Sequence, residues 1–215
     1  PPSWKLDRSF DWGSTHPFSV GWWAEATGEE MTLPNGQVWA PVKGSLFRFC
    51  ELYGAKDLDE GVNEGIRASA SQIADEILAL EATMRERGWI SGYVMAGPAD
   101  NQIRNVNDSS TPTIEASFAA KGVRWTPSDK SQGSRKIGLE LMRQMVLNAK
   151  TGEGPALYVM VRCKAFLKTV PVLPRYDDDP DDVDTTAADH IYDDTRYRVL
   201  SSSYRPGILN VSYPR

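Results

Sequence analysis

A regular apolar stripe in the first half of the chain constrains the fold more than any other sequence feature. Apolar side chains recur at alternating steps of four and three residues from Ile66 to Met84, which is the spacing of one buried helix face. Asn63 is the predicted cap of this helix and Gly88 its predicted end. An apolar segment, 89–96, follows at once and is predicted to be a buried strand. A helix that leads directly into such a strand indicates a crossover, which places the strand parallel to a neighbour.

The segments around this unit predict a mixed sheet. Ranges 6–11, 18–26 and 37–53 are rich in aromatic and β-branched residues and predict an antiparallel meander, the last range being one long strand or two short ones broken near 41–44. Further helices are predicted at 113–121, at 134–148 with Ile137, Leu141 and Met145 on one face, at 163–169 and at 185–200, and short strands at 123–126 and 155–160. We therefore predict an α/β fold of the ribonuclease H-like type, a mixed sheet with an antiparallel meander and parallel strands, flanked by helices.

The composition is that of a folded domain. The chain has 215 residues, of which 40% are apolar, and it contains seven Trp, enough to furnish a core. We predict one domain over 1–215, with an acidic loop or hairpin excursion at 171–185 and an extended tail at 201–215. No apolar run approaches the length of a transmembrane helix. Cys50 and Cys163 lack Cys-x-x-Cys spacing and are predicted to be buried thiols, which favours an intracellular setting.

The net charge neither supports nor excludes a nucleic-acid partner. The chain carries a formal charge of −5, whereas nucleic-acid-binding domains are usually basic. Six Asp residues within 177–184 account for the whole negative balance. The rest of the chain is near neutral and can still present a basic groove to DNA.

Carboxylates stand at the edges of three predicted elements. Asp11 ends the first strand and Asp100 follows the strand predicted at 89–96, while Asp189, His190 and Asp193 are spaced to share one face of the final helix. Taken singly, each acid has an ordinary structural interpretation as a turn residue, a helix cap or part of a solvated face. Taken together, acids so far apart in sequence suggest one metal site assembled by the fold.

Such a site has a specific chemistry. Mg²⁺ and Mn²⁺ prefer oxygen ligands, and a few carboxylates leave positions open for water and phosphate. The prediction is phosphodiester hydrolysis with two ions. In it Asp11 bridges both ions, and Asp100 and Asp193 each hold one. His190 or Asp189 positions water or tunes the second ion.

A basic loop offers a path for DNA. Lys130, Arg135 and Lys136 flank the small polar segment 131–134, which is predicted to open a helix. Backbone N–H groups at a helix start, together with positive side chains, bind phosphates. The alternative is an ordinary solvated helix start. No motif that reads base sequence is found in the chain.

These motifs resemble a known family. They are Phe10-Asp11-Trp12-Gly13 with His16-Pro17-Phe18, Gly97-Pro98-Ala99-Asp100 with Ile103, Trp125-Thr126-Pro127-Ser128-Asp129-Lys130-Ser131, and Asp189-His190 with Asp193, Arg196 and Tyr197. With them the chain is similar, over nearly its whole length, to the C-terminal nuclease domain of the large terminase subunit of tailed bacteriophages. Many members of that family carry an Asp where this chain has Gly97.

The resemblance implies a ribonuclease H-like endonuclease that cleaves concatemeric viral double-stranded DNA during genome packaging in the host cell cytoplasm. It implies metal ligands at Asp11, Asp100 and Asp193. It also implies an ATPase domain in the same full-length subunit, and as further partners the small terminase subunit and the portal protein. This chain lacks a Gly-x-x-x-x-Gly-Lys-Ser/Thr loop and begins Pro-Pro-Ser, so we expect a nuclease fragment without the ATPase domain.

Two other functions remain open at this stage. A resolvase or transposase of the ribonuclease H-like type shares the chemistry and differs in its DNA substrate. A docking module of the packaging motor uses the same acids as a protein-binding surface. Thermal stabilisation by Mn²⁺ or Mg²⁺ separates a metal centre from a docking surface.

Overall fold

The structure is a computed structural model that describes residues 1–58, 63–106, 110–176, 179–184, 187–202 and 204. In chain order its elements are β1 (Lys5–Asp11), β2 (Ser19–Glu25), β3 (Met31–Thr32), β4 (Val38–Trp39), β5 (Leu46–Tyr53), α1 (Ala70–Glu86), β6 (Pro98–Ala99), α2 (Ile114–Ala120), β7 (Thr126–Pro127), α3 (Ser134–Thr151), β8 (Leu157–Val159), α4 (Lys164–Thr169), β9 (Arg175–Tyr176), β10 (Asp179–Val183) and α5 (His190–Leu200). Short 3₁₀ turns follow β6 at Asn101–Arg104 and α4 at Val170–Val172.

A mixed sheet in the order β7-β6-β1-β2-β5-β8 forms the centre of the molecule. β1, β2 and β5 are antiparallel neighbours, whereas β6 pairs with β1, β7 with β6 and β8 with β5 in parallel. This confirms the predicted meander with parallel strands on its flanks. The range predicted at 37–53 is two strands, because β3 and β4 form a small separate hairpin before β5 begins.

The side chains of β1 alternate between two helical layers, as the pleat requires. Phe10 packs in one core with Ile73 and Ile77 of α1. On the other face Ser9 bonds to Asp194 of α5. A second core joins α3 and α5 to the sheet. Consequently every second side chain of β1, including Asp11, faces α5.

The first helix begins later than the sequence predicts. Ser69 caps α1 and forms a reciprocal capping box with Gln72, which satisfies two backbone N–H groups that would otherwise lack partners. The predicted cap at Asn63 is therefore wrong, and Ile66 lies exposed before the helix. The predicted end is nearly right, since α1 stops at Glu86 and Gly88 adopts a left-handed φ of 67°.

The strand predicted at 89–96 is wrong. Within this range the described backbone meets β1 at Met95, which forms an isolated bridge with Asp7, and regular pairing is confined to β6. Ile90 and Val94 are buried, whereas Tyr93 is 74% exposed. The apolar content of this segment reflects the burial of single side chains, without strand pairing.

The later helices differ from prediction in detail. α2 and α4 lie within a residue of their predicted bounds, and α3 starts at Ser134 as predicted. Ile137 is 59% exposed, however, so its place on the buried face is wrong, while Leu141 and Met145 are buried as expected. α5 begins at His190 instead of 185, and positions 185–186 lie outside the described residues.

Other predictions concern cysteines and membrane segments. Cys50 and Cys163 are buried free thiols, as predicted. In the described part of the chain, no helix combines the length and the apolar character needed to cross a bilayer. The extended tail predicted at 201–215 lies almost wholly outside the described residues.

Candidate metal centre

Three acids from distant parts of the chain meet at one edge of the sheet. Asp11 is the last residue of β1 and is buried. Asp100 directly follows β6, and its N–H donates to the Phe10 carbonyl at 3.0 Å. Because β1 and β6 are parallel neighbours, their carboxyl ends adjoin at this edge. Asp193 lies in the first turn of α5, on the sheet face that Asp11 occupies.

Tyr197 links two of these acids. Its hydroxyl lies 3.2 Å from Asp11 Oδ1 and 3.3 Å from Asp193 Oδ2. Burial first, and then the negative charge of Asp11 and Asp193, raises the pKa of Tyr197, so the phenol keeps its proton. One proton serves only one acceptor fully, so the hydroxyl lies between the two carboxylates and donates to one of them at a time.

The electrostatics of Asp11 suit a divalent cation. Burial raises its pKa well above the ordinary value, and the nearby charges of Asp193 and Asp100 raise it further. A doubly charged cation relieves this mutual repulsion, and carboxylate oxygens are the ligands that Mg²⁺ and Mn²⁺ prefer. The donor chemistry therefore fits the predicted ions. In the observed arrangement, however, no group of three or more Asp, Glu, His or Cys side chains among the described residues is placed to hold a metal ion.

Each of the three carboxylates is paired with a nitrogen of another side chain. His190 Nδ1 lies 3.0 Å from Asp11 Oδ2, Lys130 Nζ lies 2.5 Å from Asp100 Oδ1, and Arg196 Nη2 lies 3.0 Å from Asp193 Oδ1. The sequence predicts Lys130 as a DNA contact, and the structure places its ammonium within the acid cluster. It lines the neighbouring cleft as well.

His190 and Asp189 complete this part of the site. Burial lowers the pKa of His190, against the opposing charges of Asp189 and Asp193. In the neutral form with its proton on Nδ1, the ring donates to Asp11. Nε2 is then an acceptor, and it is buried without a hydrogen-bond partner among the described residues. Asp189 is the N-cap of α5, with helical backbone angles, and its carbonyl accepts from the Asp193 N–H at 2.8 Å.

Asp194 is a structural acid that sequence analysis missed. It is fully buried, and the Arg48 guanidinium donates to both of its carboxylate oxygens, at 2.5 and 3.1 Å. Ser9 and Ser19 donate to the same carboxylate. Although burial lowers the pKa of Arg48, Asp194 raises it above its ordinary value. This pair fixes α5 against the sheet and so determines where the adjacent Asp193 lies.

A cleft of about 540 Å³ adjoins the acids. We call it the basic cleft because its lining has four basic side chains against three acidic ones, Asp182, Asp189 and Asp193. The same lining contains the three predicted DNA contacts, Lys130, Arg135 and Lys136. Gly133, with a left-handed φ of 82°, stands at the start of α3 and offers no side-chain cap to its first N–H groups. Arg135 also reaches the hairpin of β9 and β10, where it pairs with Asp182 at 3.3 Å.

Gly97 lies too close to β1 to carry a side chain. A Cβ atom at this position would stand 1.9 Å from the Arg8 carbonyl oxygen. An Asp at position 97 is therefore incompatible with this packing unless the backbone moves. Asp100, three residues later, reaches the acid cluster from beyond the end of β6.

The pKa of Asp189 predicts how metal-free stability depends on pH. Burial, assisted by the charge of Asp193, raises this pKa to about 7, whereas an unfolded Asp titrates near 3.9. The folded state binds more protons in this window, so stability falls as pH rises from about 4 to about 7. We expect the melting temperature in EDTA to fall over this window, and to fall less in Asp189→Asn. Equal slopes for the two proteins would contradict the assignment.

The fold is shared with solved structures of phage terminases. The nuclease domain of the P22 large terminase superposes with a TM-score of 0.54 and 12% identity, covering 93% of this chain and 82% of that chain. The large terminase of a thermophilic bacteriophage gives a TM-score of 0.52 and 17% identity over 93% of this chain and 40% of its own. The same thermophilic phage protein in complex with ADP gives 0.53 and 17%, with coverage of 94% and 40%. No model of a protein family and no curated protein sequence matches the chain. These likenesses confirm the predicted fold and its resemblance to terminase nuclease domains.

Proposed function

We propose that this chain, whose fold is that of phage large-terminase nuclease domains, is a metal-dependent endonuclease that cleaves concatemeric viral double-stranded DNA during genome packaging. The observation that carries the proposal is the convergence of Asp11, Asp100 and Asp193 beside a basic cleft. Fold alone does not determine function, and here the acids supply the chemical argument. Asp100 also caps the 3₁₀ turn at Asn101–Arg104, where its Oδ1 accepts from the Gln102 N–H at 3.0 Å, but this local role does not account for its place beside Asp11.

The proposed chemistry is hydrolysis of a phosphodiester bond with two Mg²⁺ or Mn²⁺ ions. Asp11, which lies between the other two acids, would hold both ions, and Asp100 and Asp193 one each. Bound there, the ions supply charge stabilisation at the phosphate and a more acidic water. The Nδ1–H of neutral His190 orients Asp11. His190 or Asp189 would position water or tune the second ion.

The basic cleft is the proposed DNA path. Lys130, Arg135 and Lys136 present positive charge within the lining that also contains Asp193. The start of α3, where Gly133 provides no side-chain cap, suits a phosphate oxygen. Such contacts position the duplex without reading its sequence, so we propose cleavage without strong base specificity by this domain alone.

The wider assembly is part of the proposal. This chain spans 40% of the large terminase of the thermophilic bacteriophage, and that protein is known in complex with ADP. We propose an ATPase domain in the same full-length subunit, with the small terminase subunit and the portal protein as further partners, in the host cell cytoplasm. We propose residues 1–215 as one nuclease domain.

Cleavage of a supercoiled plasmid tests the function. The purified chain is expected to nick and linearise the plasmid with Mn²⁺ or Mg²⁺ and to leave it intact with EDTA. A docking module would neither cleave DNA nor gain thermal stability from Mn²⁺. Preference for a four-way junction over linear duplex would support the resolvase alternative instead.

A further inference from the structure

Lys130 places a positive charge beside the cluster of Asp11, Asp100 and Asp193. Its ammonium is 2.5 Å from Asp100 Oδ1 and 5.3 Å from the centre of the Tyr197 ring. A single lysine therefore contacts one acid of the cluster and covers the tyrosine whose hydroxyl lies between the other two.

The other protein partners of the acids are held more firmly. Arg196, which pairs with Asp193, is buried, and its side chain fills the space beside Gly138, where a Cβ would stand 2.5 Å from Arg196 Cγ. His190 contacts Asp11 as a neutral ring. The side chain of Lys130 is 36% exposed, stands on the connection between β7 and α3 and has four rotatable bonds. It is the partner best able to leave.

We propose that Lys130 is the resident counter-ion of the acid cluster, and that it exchanges Asp100 for a DNA phosphate when a divalent cation is bound. The inference rests on the proposed function. It makes Lys130 a positioning residue with two successive partners. Before the divalent cation binds, the Lys130 ammonium neutralises Asp100. Once the cation is bound, its charge repels the ammonium, which turns into the cleft that Lys130 already lines.

This exchange predicts that removing Lys130 has opposite effects on the affinity for Mn²⁺ and on the affinity for DNA. Since Lys130 competes for Asp100, its removal frees a carboxylate and deletes a repelling charge, so the affinity for Mn²⁺ should rise. Since the released ammonium contacts phosphate, the same change should weaken DNA binding. A lysine that only supported the fold would, when removed, weaken both.

Two measurements on the whole chain test the proposal. Isothermal titration calorimetry gives the affinity for Mn²⁺, and a fluorescently labelled DNA duplex gives the affinity for DNA in Ca²⁺. Lys130→Met is expected to bind Mn²⁺ about tenfold more tightly than the wild type, and to bind the duplex in Ca²⁺ several-fold more weakly. Lys130→Arg, which keeps the charge, should retain the wild-type Mn²⁺ affinity within about twofold. Lys136→Met is the matched control, because it removes the same charge from the same cleft without touching Asp100. It should weaken duplex binding and leave the Mn²⁺ affinity within about twofold of wild type.

The outcomes separate this inference from the function on which it rests. Unchanged or weaker Mn²⁺ binding in Lys130→Met, in a protein whose wild type binds Mn²⁺, would overturn the counter-ion exchange and leave the nuclease proposal standing. An equal gain of Mn²⁺ affinity in Lys136→Met would also overturn it, since the gain would then come from removing any positive charge in the cleft. A wild type that binds no Mn²⁺ would overturn the metal centre itself.

Discussion

Asp11→Asn is expected to reduce metal-dependent plasmid cleavage by at least about a hundredfold, because even groups that merely support metal ligands commonly account for ten- to hundredfold. Stability should move the other way. The Asp11 carboxylate is buried beside Asp193 and Asp100, and this raises its pKa, so an uncharged amide removes repulsion from the metal-free protein. We therefore expect a higher melting temperature in EDTA at pH 8 and a smaller gain on adding Mn²⁺. Cleavage rates and melting curves of the same preparations measure both effects.

Asp75→Asn is the matched control for this variant. Asp75 is an exposed acid of α1 that pairs with Lys121, on the face of the sheet opposite α5. Exposed pairs contribute about 0–1 kcal/mol, so cleavage and the response to Mn²⁺ should match the wild type. Wild-type cleavage by Asp11→Asn would remove this residue from the proposed centre.

Asp194→Asn is expected to lower the free energy of unfolding by about 3–5 kcal/mol, because removing one partner of a buried ion pair leaves the other charge uncompensated. Arg48 would be that charge, since it is fully buried, donates twice to Asp194 and would keep, among the described acids, only Glu51 at the longer distance of 3.4 Å. Urea denaturation followed by circular dichroism measures the change.

The neighbouring acid, Asp193, is expected to affect cleavage more than stability. Asp193 precedes Asp194 on the same helix, yet its side chain is 22% exposed and faces Tyr197. Asp193→Asn should lose cleavage while keeping most of the stability, whereas Asp194→Asn should lose stability first. Similar stability losses in both variants would contradict the division of roles between these neighbouring acids.

The fold could be predicted because its main patterns are local. The strands of the meander and the core of α1 follow from the spacing of apolar residues, which reflects burial directly. The start of α1 is predicted wrongly at Asn63, although Ser69 followed three residues later by Gln72 is itself the sequence signature of the capping box that begins the helix. The strand predicted at 89–96 is wrong for another reason, because apolar content does not distinguish a paired strand from an irregular chain with two buried side chains.

The candidate site was accessible to sequence analysis only in part. Asp11 and Asp100 stand at the ends of β1 and β6, and their proximity follows once β6 is placed next to β1. The place of Asp193 depends in addition on how α5 packs on the sheet. Asp194 carries no such indication, because its partner Arg48 is 146 residues away and belongs to another strand. The position of Lys130 depends likewise on a contact with Asp100 across the sheet edge. Predicting either contact requires the three-dimensional arrangement itself.

The close approach of Gly97 to β1 determines where an acid can stand at this edge of the sheet. The Arg8 carbonyl leaves no room for a side chain at position 97. Three residues later the chain has left β6, and there Asp100 carries a carboxylate while its own N–H donates to the Phe10 carbonyl. The tight crossing and the acid are thus compatible only because they are placed at different residues, and a side chain at position 97 would have to separate the two segments.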